Sequence, residues 1–229
     1  MYETSPQGVL KMIRHRLNTN LTLQHQDTYL GMPIQAEKGP FIVEYLDRLH
    51  QTISRAMNQY SRVFAFRFDL RFPSDMNHSA FNYENEVIDR FIESFKAKIR
   101  HNRQMAFREN KYAHDSVVRY VWTREVGQLG RPHYHVAILL NYDAFCSLGR
   151  FSTGRENMFN RLNDAWASAL GLSPDAVTGL VEIPQNPYYH LRRDDNASIA
   201  EFFYRASYLC KSATKVFGSG GHGFGASKI

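Results

Sequence analysis

The sequence predicts an α+β fold of ferredoxin-like (RRM-like) type. This is a β-α-β-β-α-β antiparallel sheet with one more helix at its C-terminal end and an N-terminal helical extension. Three observations predict it. First, Phe64, Phe66, Phe68, Leu70 and Phe72 alternate with Ala65, Arg67, Asp69 and Arg71, which marks a strand with an aromatic core face and a charged open face. Second, two strand-like runs flank a glycine-containing turn at residues 127–132, with amphipathic helical stripes before and after them, in the order this plan requires. Third, 229 residues, 43% of them hydrophobic, suffice to bury a core.

Residues 1–60 are the extension, ending in Phe41, Ile42, Tyr45, Leu46, Leu49, Ile53 and Met57 at helical spacing. The alternating strand spans Arg62 to Phe72 and stops at Pro73, which cannot donate to a ladder. A helix is expected from about Tyr83 to His101, with Ile88, Phe91, Ile92, Phe95 and Ile99 on one stripe. Strands over Val117 to Val126 and His133 to Asn141 form a hairpin. The next helix, about Glu156 to Leu170, carries Phe159, Leu162 and Trp166 and is closed by Gly171. A short strand follows at Leu180 to Ile183. The last helix is expected from Ser198 to Ser212, with Ser198 as N-cap and Glu201 three residues on. Residues 61–216 thus form the main domain, and the glycine-rich residues 217–229 read as a flexible tail.

Composition narrows the classes of function. The chain has 28 Lys and Arg against 22 Asp and Glu, a formal charge of +6, which suits either a polyanion partner or a merely soluble surface. No apolar run approaches the ~18 residues of a membrane span, and no signal-peptide pattern opens the sequence. Cys146 and Cys210 make neither a disulfide framework nor a C-x-x-C pair, so a reduced cytoplasmic protein is expected. A G-x-x-x-x-G-K-[ST] pattern is absent, which argues against an attached P-loop motor.

The sharpest local feature is His133-Tyr134-His135 at the head of the apolar run Val136 to Leu140. Two residues apart on a strand, both imidazoles point to one face, and imidazole nitrogen is a ligand for borderline metals. A hairpin centred on Leu129 places Glu125 opposite His133 and Thr123 opposite His135, about 5 Å away. Two imidazoles and a carboxylate leave positions free for a phosphate oxygen, which suits Mg²⁺ or Mn²⁺. Further on, Tyr204 and Tyr208 lie four apart on the last helix, with Lys211 one turn beyond. A phenolate can form a covalent phosphate ester, and a nearby ammonium favours both the phenolate and the charge developing on phosphate. Taken alone, each of these stretches also reads as ordinary structure: solvated histidines, a strand-end charge, and an amphipathic helix with buried aromatics. Arg67, Arg71 and Lys215 are candidate DNA-phosphate contacts, or else members of surface ion pairs.

A histidine pair on a central strand, an acid on its hairpin partner and a downstream helical Tyr-x-x-Lys, in one order on one fold, resemble the HUH endonucleases. More narrowly, the stretches Arg62 to Pro73, Gly130 to His135 and Ser207 to Lys211 resemble the inovirus gene-two replication-protein family. The tyrosine follows the histidine pair, whereas in conjugative relaxases it precedes it. The resemblance implies a site-specific single-strand cut with His133, His135 and Glu125 as metal ligands. Tyr208 would be joined to the DNA 5′ end, Lys211 would assist, and a 3′ hydroxyl would be freed. The implied partners are single-stranded or hairpin origin DNA, a host helicase and a DNA polymerase in a bacterial cytoplasm. In small icosahedral-phage initiators a lysine precedes the second tyrosine, where this chain has Ser207, so a catalytic role for Tyr204 stays open beside simple packing. Two other readings remain: a single-tyrosine transposase of the same superfamily, and a non-catalytic module binding single-stranded nucleic acid on sheet aromatics.

Overall fold

The computed structural model describes residues 13–74, 85–127, 130–215 and 222–228. Its chain opens with β1 (Ile13–His15), β2 (Asn18–Gln24), the short pair β3 (Thr28–Tyr29) and β4 (Met32–Pro33), and β5 (Phe41–Ile42). Strands β1, β2 and β5 form a small three-stranded sheet. The extension is therefore not purely helical. Phe41 and Ile42 continue the apolar pattern of α1 (Val43–Gln59) but pair as extended chain with Leu23 and Gln24.

The central sheet is built from β6 (Arg62–Arg71), β7 (Arg119–Val126), β8 (Pro132–Asn141), β9 (Val181–Glu182), β10 (Tyr188–Arg192) and β11 (Phe224–Ala226). Its order is β10-β6-β8-β7-β11, with β9 also on β6, and every pairing is antiparallel. Between these strands run α2 (Glu86–Glu109), α3 (Met158–Leu170) and α4 (Asn196–Ser207). Part of the expected hairpin turn and the first residues of the expected helix at 83 lie outside the described residues. Helix α3 has its N-cap at Asn157, which accepts from the Asn160 amide, and stops at Gly171 at φ +69°, a left-handed position that glycine takes without strain. The cap of α4 is Asp195 rather than Ser198, because its carboxylate reaches the Ala197 and Ser198 amides.

Both sheet faces are buried. On one face Phe64, Phe66, Phe68, Trp122, Tyr134, Val136 and Ile138 pack against α2 and α3. On the other, Val63, Ala65, Val121, Ala137 and Leu139 pack against α1, α4 and Phe224. The expectation of one open face is thus corrected. The second face carries small residues, and these let two helices approach closely instead of leaving the sheet bare. The flexible-tail expectation is also corrected for residues 222–228. Phe224 pairs with Thr123 in β11 and stacks on Tyr45 at 4.2 Å, and Thr123 Oγ1 donates to Gly223 O at 2.9 Å. The rest of that tail, residues 217–221 and 229, lies outside the described residues. Among the described residues, no helix is long and apolar enough to cross a membrane.

Candidate metal centre and tyrosine segment

The β7–β8 register pairs Glu125 with His133 and Thr123 with His135. Alternation sends Tyr134 to the opposite face, where it packs edge-on against Trp122 and Trp166. That anchor fixes the two imidazoles on the α1/α4 side. Nε2 of His133 and Nε2 of His135 are 3.2 Å apart, and His135 Nε2 is 3.4 Å from Glu125 Oε2. Two ligands held at ~2.0–2.2 Å from one ion, subtending 90–110°, lie roughly 3.0–3.5 Å apart. The three donors, all within 4.8 Å of one another, therefore have the spacing of neighbouring coordination positions. The residues present fit a divalent cation.

Each donor is supported by other groups. Asp69, opposite His135 in the β6–β8 ladder, hydrogen-bonds His135 Nδ1 at 2.6 Å and leaves Nε2 turned toward the cluster. A carboxylate behind a metal-binding imidazole fixes its orientation and raises its basicity. Burial alone would lower the pKa of His135, but its hydrogen bonds to Asp69 and Glu125 outweigh this and raise it. His133 moves the other way, through burial and the neighbouring His135. Burial also works against the Glu125 carboxylate, yet His135 and Lys215 hold it well below the usual carboxylate range. Lys215 Nζ lies 2.6 Å from Glu125 Oε1, Lys211 Nζ 3.0 Å from Oε2, and Thr214 Oγ1 donates to Oε2 at 2.7 Å.

Tyr208 and Lys211 are not on one continuous α-helix. After Ser207 the chain tightens into a 3-10 turn, Tyr208–Cys210. Side chains three apart eclipse in that geometry. Lys211 Nζ accordingly sits 3.7 Å from the centroid of the Tyr208 ring, and the ring meets His135 edge-on at 5.3 Å. The N-terminal extension pins this segment from behind. Gln35 Nε2 donates to the Tyr204 and Arg205 carbonyls, its amide donates to Ser207 Oγ, Ser212 N donates to Pro40 O, and Phe41 bridges Lys211. The two Gln35 Nε2 bonds satisfy carbonyls that a helix end leaves without partners.

The structure thus brings together His133, His135, Glu125, Tyr208 and Lys211. Tyr204 points away, 40% exposed, with no side-chain contact to the cluster among the described residues. Arg67, expected on an open face, is buried beneath α4, where Nη1 donates to Arg205 O at 3.0 Å and the guanidinium lies 5.4 Å from the Tyr208 ring. Lys215, expected at a DNA phosphate, is buried against Glu125. Arg71 stays half-exposed and pairs with Glu182 at 2.5 Å. Sequence reasoning missed Asp69, Thr214 and Gln35. Asp69 alone had a signal, since it alternates in phase with Arg71 and reaches His135 once the two strands are paired.

One solved structure, the N-terminal nuclease domain of minute virus of mice non-structural protein 1, aligns over 71% of each chain at 13% identity. Its TM-score is 0.24, too low for a shared fold to follow. In Escherichia coli K12 the chain is 34% identical to the uncharacterised protein YagK over 205 residues, covering 85% of this chain and 97% of YagK. It is 31% identical to the uncharacterised protein YfjJ over 207 residues, covering 86% of this chain and all of YfjJ. Residues 24–227 match the YagK/YfjJ C-terminal domain, and the chain belongs to that family.

Proposed function

We propose that this chain is a metal-dependent, site-specific DNA nickase and strand transferase of the HUH type that initiates rolling-circle replication of a mobile element. The observation that carries this reading is the packing of Tyr208 against His135, within the cluster where two imidazoles and a carboxylate converge. The strand order β9/β10-β6-β8-β7, with helices joining β6 to β7 and β8 to β9, is compatible with a β-α-β-β-α-β plan and supports the resemblance drawn from sequence. The endonuclease unit is residues 61–216, with the described part of the extension, residues 13–60, as the scaffold that holds its tyrosine segment.

His133, His135 and Glu125 would hold Mg²⁺ or Mn²⁺, the softer Mn²⁺ suiting the imidazoles better. The bound ion supplies Lewis-acid polarisation of the scissile phosphate. The residues of the chain do the rest. Tyr208 gives its phenolic proton to solvent as it attacks, and Lys211 Nζ, over its ring, is placed to meet the charge that develops on phosphate. The Tyr208 Oη–P bond forms as the P–O3′ bond breaks, leaving a 5′-phosphotyrosine and a 3′ hydroxyl that takes up a proton. The reverse reaction joins ends. Arg71, at the end of β6 opposite His133, is placed to meet a DNA phosphate if it leaves Glu182. Origin DNA, unpaired or in a hairpin, is the substrate, and a host helicase and polymerase in the bacterial cytoplasm would extend the freed end. A stacking module is disfavoured because helices cover both sheet faces that would present aromatics.

Incubation with labelled single-stranded origin DNA and Mn²⁺, followed by a denaturing gel, tests the reading. A covalent adduct is expected that vanishes in Tyr208→Phe, while His133→Ala and His135→Ala bind DNA without cutting it. Nicking at the parent rate by Tyr208→Phe, or by either histidine variant, would overturn it.

A further inference from the structure

The chain's charge is not spread evenly. Residues 94–114 hold Lys96, Lys98, Arg100, Arg103, Arg108 and Lys111 against Glu109 alone, a net +5 of the chain's +6. These residues are the last two-thirds of α2 and the turn after it, and the last residue of α2 in the core is Ile99. Beyond Ile99, ten more helical residues run on, about 15 Å at 1.5 Å per residue, as a rod exposed along most of its length. Few of the cations on it are spent internally. Lys96 pairs with Glu93, and Arg103 lies over Phe145 and donates to His114 O, whereas Arg100, Arg108 and Lys111 are exposed and bound to no carboxylate among the described residues.

At 100° per residue, Arg100 and Arg103 flank one side of the rod and Lys98 and Arg108 the other. Phe107 and Tyr112, 41% and 77% exposed, stand at its tip. A basic rod 10–12 Å across with cations on both flanks matches the roughly 12 Å major groove of a duplex, whose two walls are phosphate chains. Beside the rod, between α2 and Asp115 to Val118, lies a groove of about 390 Å³. Asp115 is its acidic group, occupied in accepting from the Ser116 amide.

We infer that the projecting half of α2 is a second nucleic-acid site, which docks double-stranded DNA through its phosphates. It lies at the other end of the sheet from the metal cluster. From Val118 on its wall to Glu125 there are seven residues of extended chain, ~24 Å, which is the rise of about seven base pairs. The surface would therefore hold a duplex stem about that far from the cluster. Binding here needs neither a metal nor Tyr208, so a failure to nick leaves this inference standing.

The test is fluorescence anisotropy of the full chain with a generic 30-base-pair duplex (about 30 pairs spans the rod several times over), read at several salt concentrations. The variant Arg100→Ala/Arg108→Ala/Lys111→Ala should lose at least roughly tenfold in affinity at low salt, and its salt slope should become shallower by about 2–3. Removing equal charge elsewhere, in Arg16→Ala/Lys38→Ala/Lys228→Ala, should change affinity less than about twofold. Circular dichroism would show that both variants fold. Equal losses in the two triple variants, no loss in the first, or a loss confined to single strands would overturn the assignment.

Discussion

The two faces of the central sheet come from the same strands and are both buried, yet different forces hold them. β6 sends Phe64, Phe66, Phe68 and Leu70 toward α2 and α3, into a layer of aromatic and aliphatic side chains. It sends Val63, Ala65, Arg67 and Asp69 toward α1 and α4, where the far end of the layer is charged. On the first face each side chain contributes volume and apolar area, and neighbours are broadly interchangeable. At the charged end of the second, each group is balanced by another: Glu125 by Lys215 and Lys211, Asp69 by His135. A buried charge without its partner is costly, so the polar end is held as a set.

The largest effect expected is on the apolar face. Phe66→Ala should destabilise by about 3–5 kcal/mol in urea unfolding, through lost burial and a cavity, without altering metal affinity per folded molecule. A parallel loss of metal binding would mean that the faces are coupled. On the polar face, Glu125→Gln leaves two buried ammoniums uncompensated. A loss approaching the ~3–5 kcal/mol of a broken buried pair is expected, moderated because Lys215 can shed its proton. Unchanged stability would show that the ammoniums reach water.

A smaller effect is expected behind the ligands. Asp69→Asn should keep the fold but weaken Mn²⁺ binding by about 10–100-fold in titration calorimetry, because the His135 ring loses its orienting carboxylate. Equal affinity would remove Asp69 from the site. The smallest effect is on pH dependence. Burial holds Lys215 at about 8, below the ordinary lysine value of 10.5. The folded chain therefore releases that proton before the unfolded chain does. Stability should rise with pH from about 8 toward 10, relative to Lys215→Met, which lacks this titration. Parallel pH profiles would contradict that placement of Lys215.

The two faces also differ in how legible they were. The aromatic alternation of residues 64–72 and the stripe from Ile88 to Ile99 state their burial outright, since large apolar groups have one favourable environment. The register of Glu125 and His133 followed from the turn, because hairpin geometry is local. The second face was harder to read. Ala65 and Ala137 are small enough for either a bare or a covered sheet, and only α1 and α4 settle which. Strand β10 escaped notice because Tyr188 to Arg192 lacks clean alternation and is defined by pairing with β6. β11 lies in a glycine-rich stretch, where Gly225 is needed for close approach: an added Cβ would fall 2.5 Å from the Trp122 ring.

By itself the sequence determined four strands of the central sheet (β6, β7, β8 and β9), the shared side of His133 and His135, and the proximity of Glu125. Periodicity and turn chemistry act over a few residues and need no knowledge of the rest of the chain. Only the tertiary structure decided that Asp69 backs His135, that Lys215 neutralises Glu125, and that a 3-10 turn pinned by Gln35 sets Lys211 over the Tyr208 ring. Those contacts join segments 66 to 172 residues apart. Their existence depends on which faces are driven together when the whole core is buried, and no local pattern encodes that.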